Sequence, residues 1–110
     1  MSPSKTPKVG EVPGRFKEFM KKYPAVATAY SALGDASLKA GPLDAKTRAL
    51  VKLGMAIGMR HEGATHSQVR KAIEAGATPD EVRHAALLGV TTMGFPCTVA
   101  AMSWVEDVLS

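Results

Sequence analysis

Residues 44–59 read DAKTRALVKLGMAIGM, and this stretch decides the fold. Asp44 suits the N-cap of a helix, because its carboxylate can accept hydrogen bonds from backbone N–H groups of the first turn. From Leu53 to Met59 the sequence is apolar on nearly every face, which is typical of a helix buried on several sides. The stretch therefore predicts a central helix that ends at about Met59 and is covered by other helices.

A second apolar helix follows a clear start signal. Thr78, Pro79 and Glu81 fit the N-cap, N1 and N3 positions of a capping box, in which side chains and backbone satisfy each other's hydrogen bonds. The sequence is then apolar nearly all round as far as Met93, where Gly94-Phe95-Pro96 breaks the pattern. These residues predict a second buried helix that reaches Met93.

The rest of the chain also shows helical spacing of apolar residues, without the alternation typical of strands. We predict four further helices, from Pro13, from Pro24 to Gly41, from Glu62 to Ala75, and from about Pro96. The sequence therefore predicts an all-α fold, a compact bundle of five or six helices, as one domain over residues 13–110. Residues 1–12 are rich in Ser, Pro and Lys and are predicted to be a flexible tail.

Composition excludes several classes of protein. The net charge is +4, but no arginine-rich run or set of base-stacking aromatics accompanies it. The N-terminus lacks the apolar segment of a signal peptide, and the apolar run from Ala85 to Gly94 covers about half of a membrane span. The single cysteine, Cys97, cannot form a CxxC redox pair and fits a reducing compartment. We therefore expect a cytoplasmic protein that binds neither nucleic acid nor a membrane.

The two apolar helices need more cover than one chain of 110 residues offers. Large contiguous apolar surfaces are rare on monomers and mark contacts between chains. We therefore expect an obligate homo-oligomer.

Three polar residues follow the central helix: His61, Glu62 and His66. A zinc-protease helix carries HExxH, with its histidines four residues apart on one face. Here the histidines are five residues apart, about 140° around a helix, so a regular helix does not aim both at one ion. Neither a metal nor another cofactor is predicted.

Glu62 and His66 are four residues apart, so they share one helix face, and Arg70 extends that face. A carboxylate beside an imidazole fixes its tautomer and favours acid–base chemistry. The alternative interpretation is a surface ion pair worth roughly a few tenths of a kcal/mol. Two further residues favour structural roles: His84 has no ligand set around it, and Cys97 lacks a second cysteine.

The stretch LDAKTR from Leu43 resembles the opening of carboxymuconolactone decarboxylase-like domains. The apolar helix, His66, EAGATPDEVRHAALL from Glu74 and GFPCTVAAM from Gly94 continue the resemblance in the same order. Together they cover about residues 43–109. The chain is thus similar to the carboxymuconolactone decarboxylase/AhpD-like family, and the resemblance implies an AhpD-like helical bundle assembled as trimers or hexamers.

The resemblance also implies a branch of that family. AhpD-like peroxidases carry Cys-x-x-Cys-x-x-x-His; with His66 as that histidine, the cysteine positions fall on Met59 and Glu62. The decarboxylase branch instead has a Glu-x-x-x-His that is similar to Glu62–His66. It implies lyase-like acid–base chemistry on a small carboxylated metabolite, with His66 as the acid–base group, Glu62 orienting it, and a substrate-binding set of Arg70, Arg60 and His61.

Three functions stay open at this point. The first is the lyase-like enzyme, the second an AhpD-like antioxidant peroxidase that works without a CxxC, and the third a non-catalytic oligomeric helical protein. A pocket beside Glu62 and His66 would favour the first over the third. Peroxidase activity that depends on Cys97 would favour the second.

Overall fold

A computed structural model describes residues 6–10 and 13–110 of the chain. In these residues the predicted all-α fold is confirmed, because they form six α-helices and a short 3-10 helix and no strand. The helices are α1 (Gly14–Lys22), α2 (Pro24–Lys39), α3 (Ala45–Gly58), α4 (Glu62–Glu74), α5 (Pro79–Leu87), the 3-10 helix (Leu88–Thr91) and α6 (Phe95–Leu109).

Backbone contacts divide the chain into two compact units. Among the described residues, one unit contains α1 and α2 within residues 13–43, and the other contains α3 to α6 together with residues 6–10. The domain limits predicted from the sequence, 1–12 and 13–110, stay a prediction.

In the first unit α1 and α2 pack against each other. The rings of Phe19 and Tyr23 lie 5.2 Å apart at the junction of the two helices, and the Lys22 ammonium lies 5.7 Å from the Tyr23 ring centre. Neither helix contains a buried residue. Several large apolar side chains of this unit are therefore exposed, among them Val26 and Leu33.

The second unit has an aliphatic core. Its centre is one fully buried side chain from each helix: Leu53 of α3, Val69 of α4, Val82 of α5 and Val105 of α6. Burying a side chain of this size stabilises a fold by about 1.5–3 kcal/mol. The core therefore fixes α4 against α6, the two helices that carry the candidate site.

The predicted start signals of α3 and α5 are confirmed. The Asp44 carboxylate accepts a hydrogen bond from the Thr47 backbone N–H at 2.8 Å. The Thr78 hydroxyl accepts from the Glu81 N–H at 3.1 Å, while the Glu81 carboxylate accepts from the Thr78 N–H at 2.9 Å. Both helices thus begin where local hydrogen bonding predicts.

The predicted end of the second apolar helix is wrong. The α-helix ends at Leu87 and continues as the 3-10 helix, rather than running to Met93. Gly89 lies in this 3-10 segment and leaves room for the Met93 side chain, since a Cβ built there would lie 2.6 Å from it. Met93 thus folds back over the glycine, and its N–H donates to the Gly89 carbonyl at 2.7 Å. Glycine also weakens a helix interior.

The N-terminal residues 6–10 contact α4 and α6. Lys8 donates to the backbone carbonyls of Asp107 and Ser110, the second at 3.1 Å, and the Gly10 N–H donates to the Glu74 carboxylate at 3.3 Å. Residues 1–5 and 11–12 of the predicted tail lie outside the described residues. Among the residues that are described, no helix is both long and apolar enough to cross a membrane.

Candidate functional site

The short connection between α3 and α4, residues 59–61, forms one edge of the site and is called the α3–α4 joint below. Arg60 has a φ of 57°, the left-handed region that L-residues other than glycine seldom adopt. His61 follows as the N-cap of α4, and its Nδ1 accepts a hydrogen bond from the Ala64 N–H at 2.9 Å. This bond places the ring proton of a neutral His61 on Nε2.

His66 lies on α4 and is only 7% exposed. Its Nε2 lies 3.0 Å from Oδ2 of Asp107, in the last turn of α6, whose side chain is 43% exposed. Because a carboxylate can only accept, the imidazole donates its Nε2–H in this pair. The hydrogen bond joins the two helices at the edge of the core.

Glu62 completes a cluster of three titratable side chains. Its carboxylate, a ring nitrogen of His66 and an Asp107 oxygen all lie within 4.8 Å of one another. Glu62 is exposed and His66 is buried, so the imidazole lies inward of two carboxylates. Such an arrangement orients the ring and gives it hydrogen-bonding partners, as acid–base catalysis requires.

Asp107 is the member of this cluster that sequence reasoning missed. It lies far along the chain from His66, so no helical spacing connects the two. The one available signal is that Glu106 and Asp107 are the only acidic residues in the otherwise apolar α6. Glu106 has a different partner, since its carboxylate accepts from Arg83 of α5 at 2.6 Å. The hydrogen bond with Arg83 lowers the pKa of Glu106.

A cavity of about 370 Å³ lies between the α3–α4 joint and α6. It is lined by Ile57, Arg60, Pro96, Cys97, Ala100 and Trp104. Cys97, Ala100 and Trp104 are spaced three and four residues apart, and Asp107 follows three residues later. These four residues share one face of α6, so the cavity and the His66–Asp107 pair are neighbours along that face.

The cavity carries one cationic side chain. Arg60 lines it and donates a hydrogen bond to the Cys97 sulfur near the N-terminus of α6. A guanidinium beside a helix N-terminus is a favourable partner for a carboxylate, because both are positive. Apart from Arg60 and the Cys97 thiol, the walls are aliphatic and aromatic.

Arg70, the other predicted carboxylate anchor, has a different environment. It is 7% exposed, and its guanidinium donates to the Pro7 carbonyl at 3.0 Å. It does not line the cavity of Arg60. Of the predicted site residues, only Arg60 lines this cavity; Glu62 and His66 lie with Asp107, and Arg70 is bound to Pro7.

A larger groove of about 570 Å³ lies between α3 and α5. Its walls are mainly apolar residues of α3, α5 and the 3-10 helix, and Ile57 lines both this groove and the smaller cavity. His84 lines the groove together with Glu81, whereas His66 does not. The groove is thus separate from the Glu62–His66–Asp107 cluster.

Comparison with known proteins decides the family. A sequence model described as the carboxymuconolactone decarboxylase family matches residues 24–107. The chain belongs to this family. The match includes α2, one helix more than the resemblance over residues 43–109.

The name of a curated relative carries no functional information. An "Uncharacterized protein" of Haemophilus influenzae (strain ATCC 51907 / DSM 11121 / KW20 / Rd) is 41% identical over 57 residues, which cover 52% of this chain and 50% of that protein. The chain thus spans about half the length of this curated relative. No solved structure matches.

The positions of the peroxidase cysteines can be located in this family member. Met59 and Glu62, at which the resemblance places those cysteines, lie at the α3–α4 joint, and both are exposed. The thiol nearest to the joint is Cys97 of α6, through its contact with Arg60. The site is therefore built from carboxylates, an imidazole and a guanidinium.

Proposed function

We propose that this member of the carboxymuconolactone decarboxylase family performs lyase-like acid–base chemistry on a small carboxylated metabolite. The buried His66, paired with Asp107 at 3.0 Å and close to Glu62, is the observation that carries the proposal. An exposed ion pair would support only a structural role, because such pairs are worth little.

His66 is the proton-transferring group in this proposal, and the two carboxylates position it. Asp107 holds the Nε2 proton, which fixes the tautomer of the ring. Glu62 places a second carboxylate within 4.8 Å of the ring, where it can help to orient His66. The sequence predicts that Glu62 orients the His66 ring, and in this proposal Asp107 shares that role.

The substrate would occupy the cavity of Arg60. A volume of about 370 Å³ lies at the lower end of the range for small-molecule sites. Arg60 would bind a carboxylate of the substrate, and Trp104 and Ile57 would cover its apolar part. His61, whose Nδ1 caps α4, keeps its Nε2–H for a second polar contact.

The reaction that fits these groups is loss of carbon dioxide from a carbon next to an activating carbonyl. The bond to the leaving carboxylate breaks, carbon dioxide departs, and the electron pair forms an enolate. A proton from His66 then adds to the carbon, and solvent returns a proton to the ring. Low-dielectric walls strengthen the charges that act on the enolate.

The test compares two histidine variants. Wild type, His66→Gln and His84→Gln are assayed for carbon dioxide release from a panel of small lactone and oxo carboxylic acids. His84 is the matched control, since it is an exposed histidine of the separate groove. We expect His66→Gln to lose activity about 10²–10⁴-fold and His84→Gln to keep it. Equal activity in all three proteins would refute the proposal.

We also propose that the chain functions as a homo-oligomer larger than a dimer. Val51, Met55, Leu87 and Leu88 are large apolar side chains of the second unit, and all are exposed. Exposed apolar residues in this number favour burial against further copies of the chain.

A further inference from the structure

The Glu62–His66–Asp107 cluster has the donor set of a metal site. It offers one imidazole nitrogen and two carboxylate oxygens from two helices, within 4.8 Å of one another. Mixed nitrogen and oxygen donors suit zinc, manganese and the other divalent transition metals. We propose that these three side chains bind one divalent transition-metal ion. This goes beyond the proposed function, which needs no ion.

The distances of the cluster fit an ion after a small adjustment. Two donors at about 2.1 Å from one ion, at angles of about 90–110°, lie about 3.0–3.4 Å apart. His66 Nε2 and Asp107 Oδ2 are 3.0 Å apart, which already matches. The same angles require the Glu62 oxygen to lie within about 3.4 Å of the other two donors, so its carboxylate would move inward by up to about 1.4 Å. Glu62 is exposed, and rotation of its long side chain costs little.

The hydrophobic core holds the backbone around His66 and Asp107 in place. His66 is buried, and its neighbours Thr65 and Val69 on α4 are fully buried. Asp107 lies between Val105 and Val108, both in the core. Three protein donors leave at least one coordination position open, as in catalytic rather than structural metal sites. The ion would replace the proton that Nε2 now donates to Asp107.

The sequence could not indicate this site. Spacing excludes His61 and His66 as a helical pair of ligands, and His61 Nδ1 is engaged in capping α4. The third donor comes from α6, at the other end of the second unit's sequence. With an ion bound, the open coordination position would supply a Lewis acid, and His66 would act as a metal ligand in place of its proposed role as proton donor.

The experiment measures binding, not activity. Protein without an affinity tag is stripped with a chelator and titrated with Zn²⁺, Mn²⁺ or Co²⁺ by calorimetry. Trp104, the only tryptophan in the sequence, lies about one turn from Asp107 on α6, so Co²⁺ binding should also quench its fluorescence. We expect one ion per chain for at least one of these metals. His66→Gln and Asp107→Asn should weaken binding at least tenfold, and His84→Gln should leave it unchanged.

Two outcomes would overturn the proposal. One is the absence of saturable binding for all three metals; the other is binding that His84→Gln weakens and Asp107→Asn does not. Asp107→Asn covers the case in which His66→Gln fails to fold, and circular dichroism checks both. If no metal binds but His66→Gln abolishes carbon dioxide release, the metal site is excluded while the proposed function stands.

Discussion

His66 Nε2 and Asp107 Oδ2 lie 3.0 Å apart, although one residue is on α4 and the other in the last turn of α6. The pair exists because Val69 and Val105 pack in the same core and bring the two helices together. Its geometry depends on the tertiary fold, so it should respond to changes in either helix.

Asp107→Asn should lower the activity strongly and the stability only slightly. The amide keeps an oxygen that can accept from Nε2, so we expect the free energy of unfolding to fall by about 1 kcal/mol or less. The lost negative charge no longer stabilises a protonated ring, so carbon dioxide release should fall at least tenfold. Urea unfolding and the activity assay check both parts. Ser103→Ala, on the exposed side of α6, is the control and should change neither. A large stability loss with unchanged activity would contradict this prediction.

The Arg83–Glu106 ion pair should make the free energy of unfolding depend on pH in the acidic range. The hydrogen bond from Arg83 lowers the pKa of Glu106 below its ordinary value of 4.5. The unfolded chain therefore takes up the proton first, and the pair's contribution is present above pH 4.5 and is lost as the pH falls through the lowered pKa. The urea midpoints of wild type and Glu106→Gln should differ at pH 7, and the difference should shrink as the pH is lowered progressively below 4.5. Arg83→Met should behave like Glu106→Gln, and a difference that is constant across this range would contradict the prediction.

Assembly should depend on the apolar surface of α3. Met55 is exposed on this helix, and Met55→Lys would place a charge where we propose contact with another copy. Light scattering at micromolar concentration should show a species larger than a dimer for wild type and a smaller one for Met55→Lys. Lys52→Ala changes an exposed charged residue of the same helix and should assemble as wild type does. A wild-type protein that is a stable monomer would rule out this proposal.

Cys97→Ser should keep the fold and the activity although Cys97 lines the cavity, because a serine hydroxyl is similar in size and can still accept the hydrogen bond from Arg60. Cys97 is the single cysteine, so no disulfide within one chain can form during turnover. Circular dichroism and the carbon dioxide assay should give wild-type values, and neither protein should reduce an alkyl hydroperoxide efficiently. Robust peroxidase activity that this substitution removes would instead favour the antioxidant alternative.

Local signals in the sequence predicted much of the fold. The Asp44 cap, the Thr78–Glu81 capping box and the helical spacing of apolar residues each involve neighbours within one or two turns, and the structure confirms them. The end of α5 at Leu87 was missed, because it depends on how Met93 packs over Gly89.

Only the part of the candidate site that lies within α4 could be predicted from the sequence. Glu62 and His66 share a helix face by their spacing, and the structure places their donor atoms near each other. Asp107 and the Arg60–Cys97 contact join residues far apart in the chain, so only packing of α4 against α6 and of the joint against α6 creates them. No residue pattern in a single sequence encodes those distances.

Arg60 combines two demands that oppose each other. Its left-handed backbone would suit glycine better, and an arginine there costs about 1–2 kcal/mol of conformational energy. The same residue supplies the cationic group of the cavity. Arg60→Gly should therefore make the protein more heat-resistant and a poorer binder of carboxylates at once. Screens for thermostable variants would select this change readily, and would discard ligand recognition with it.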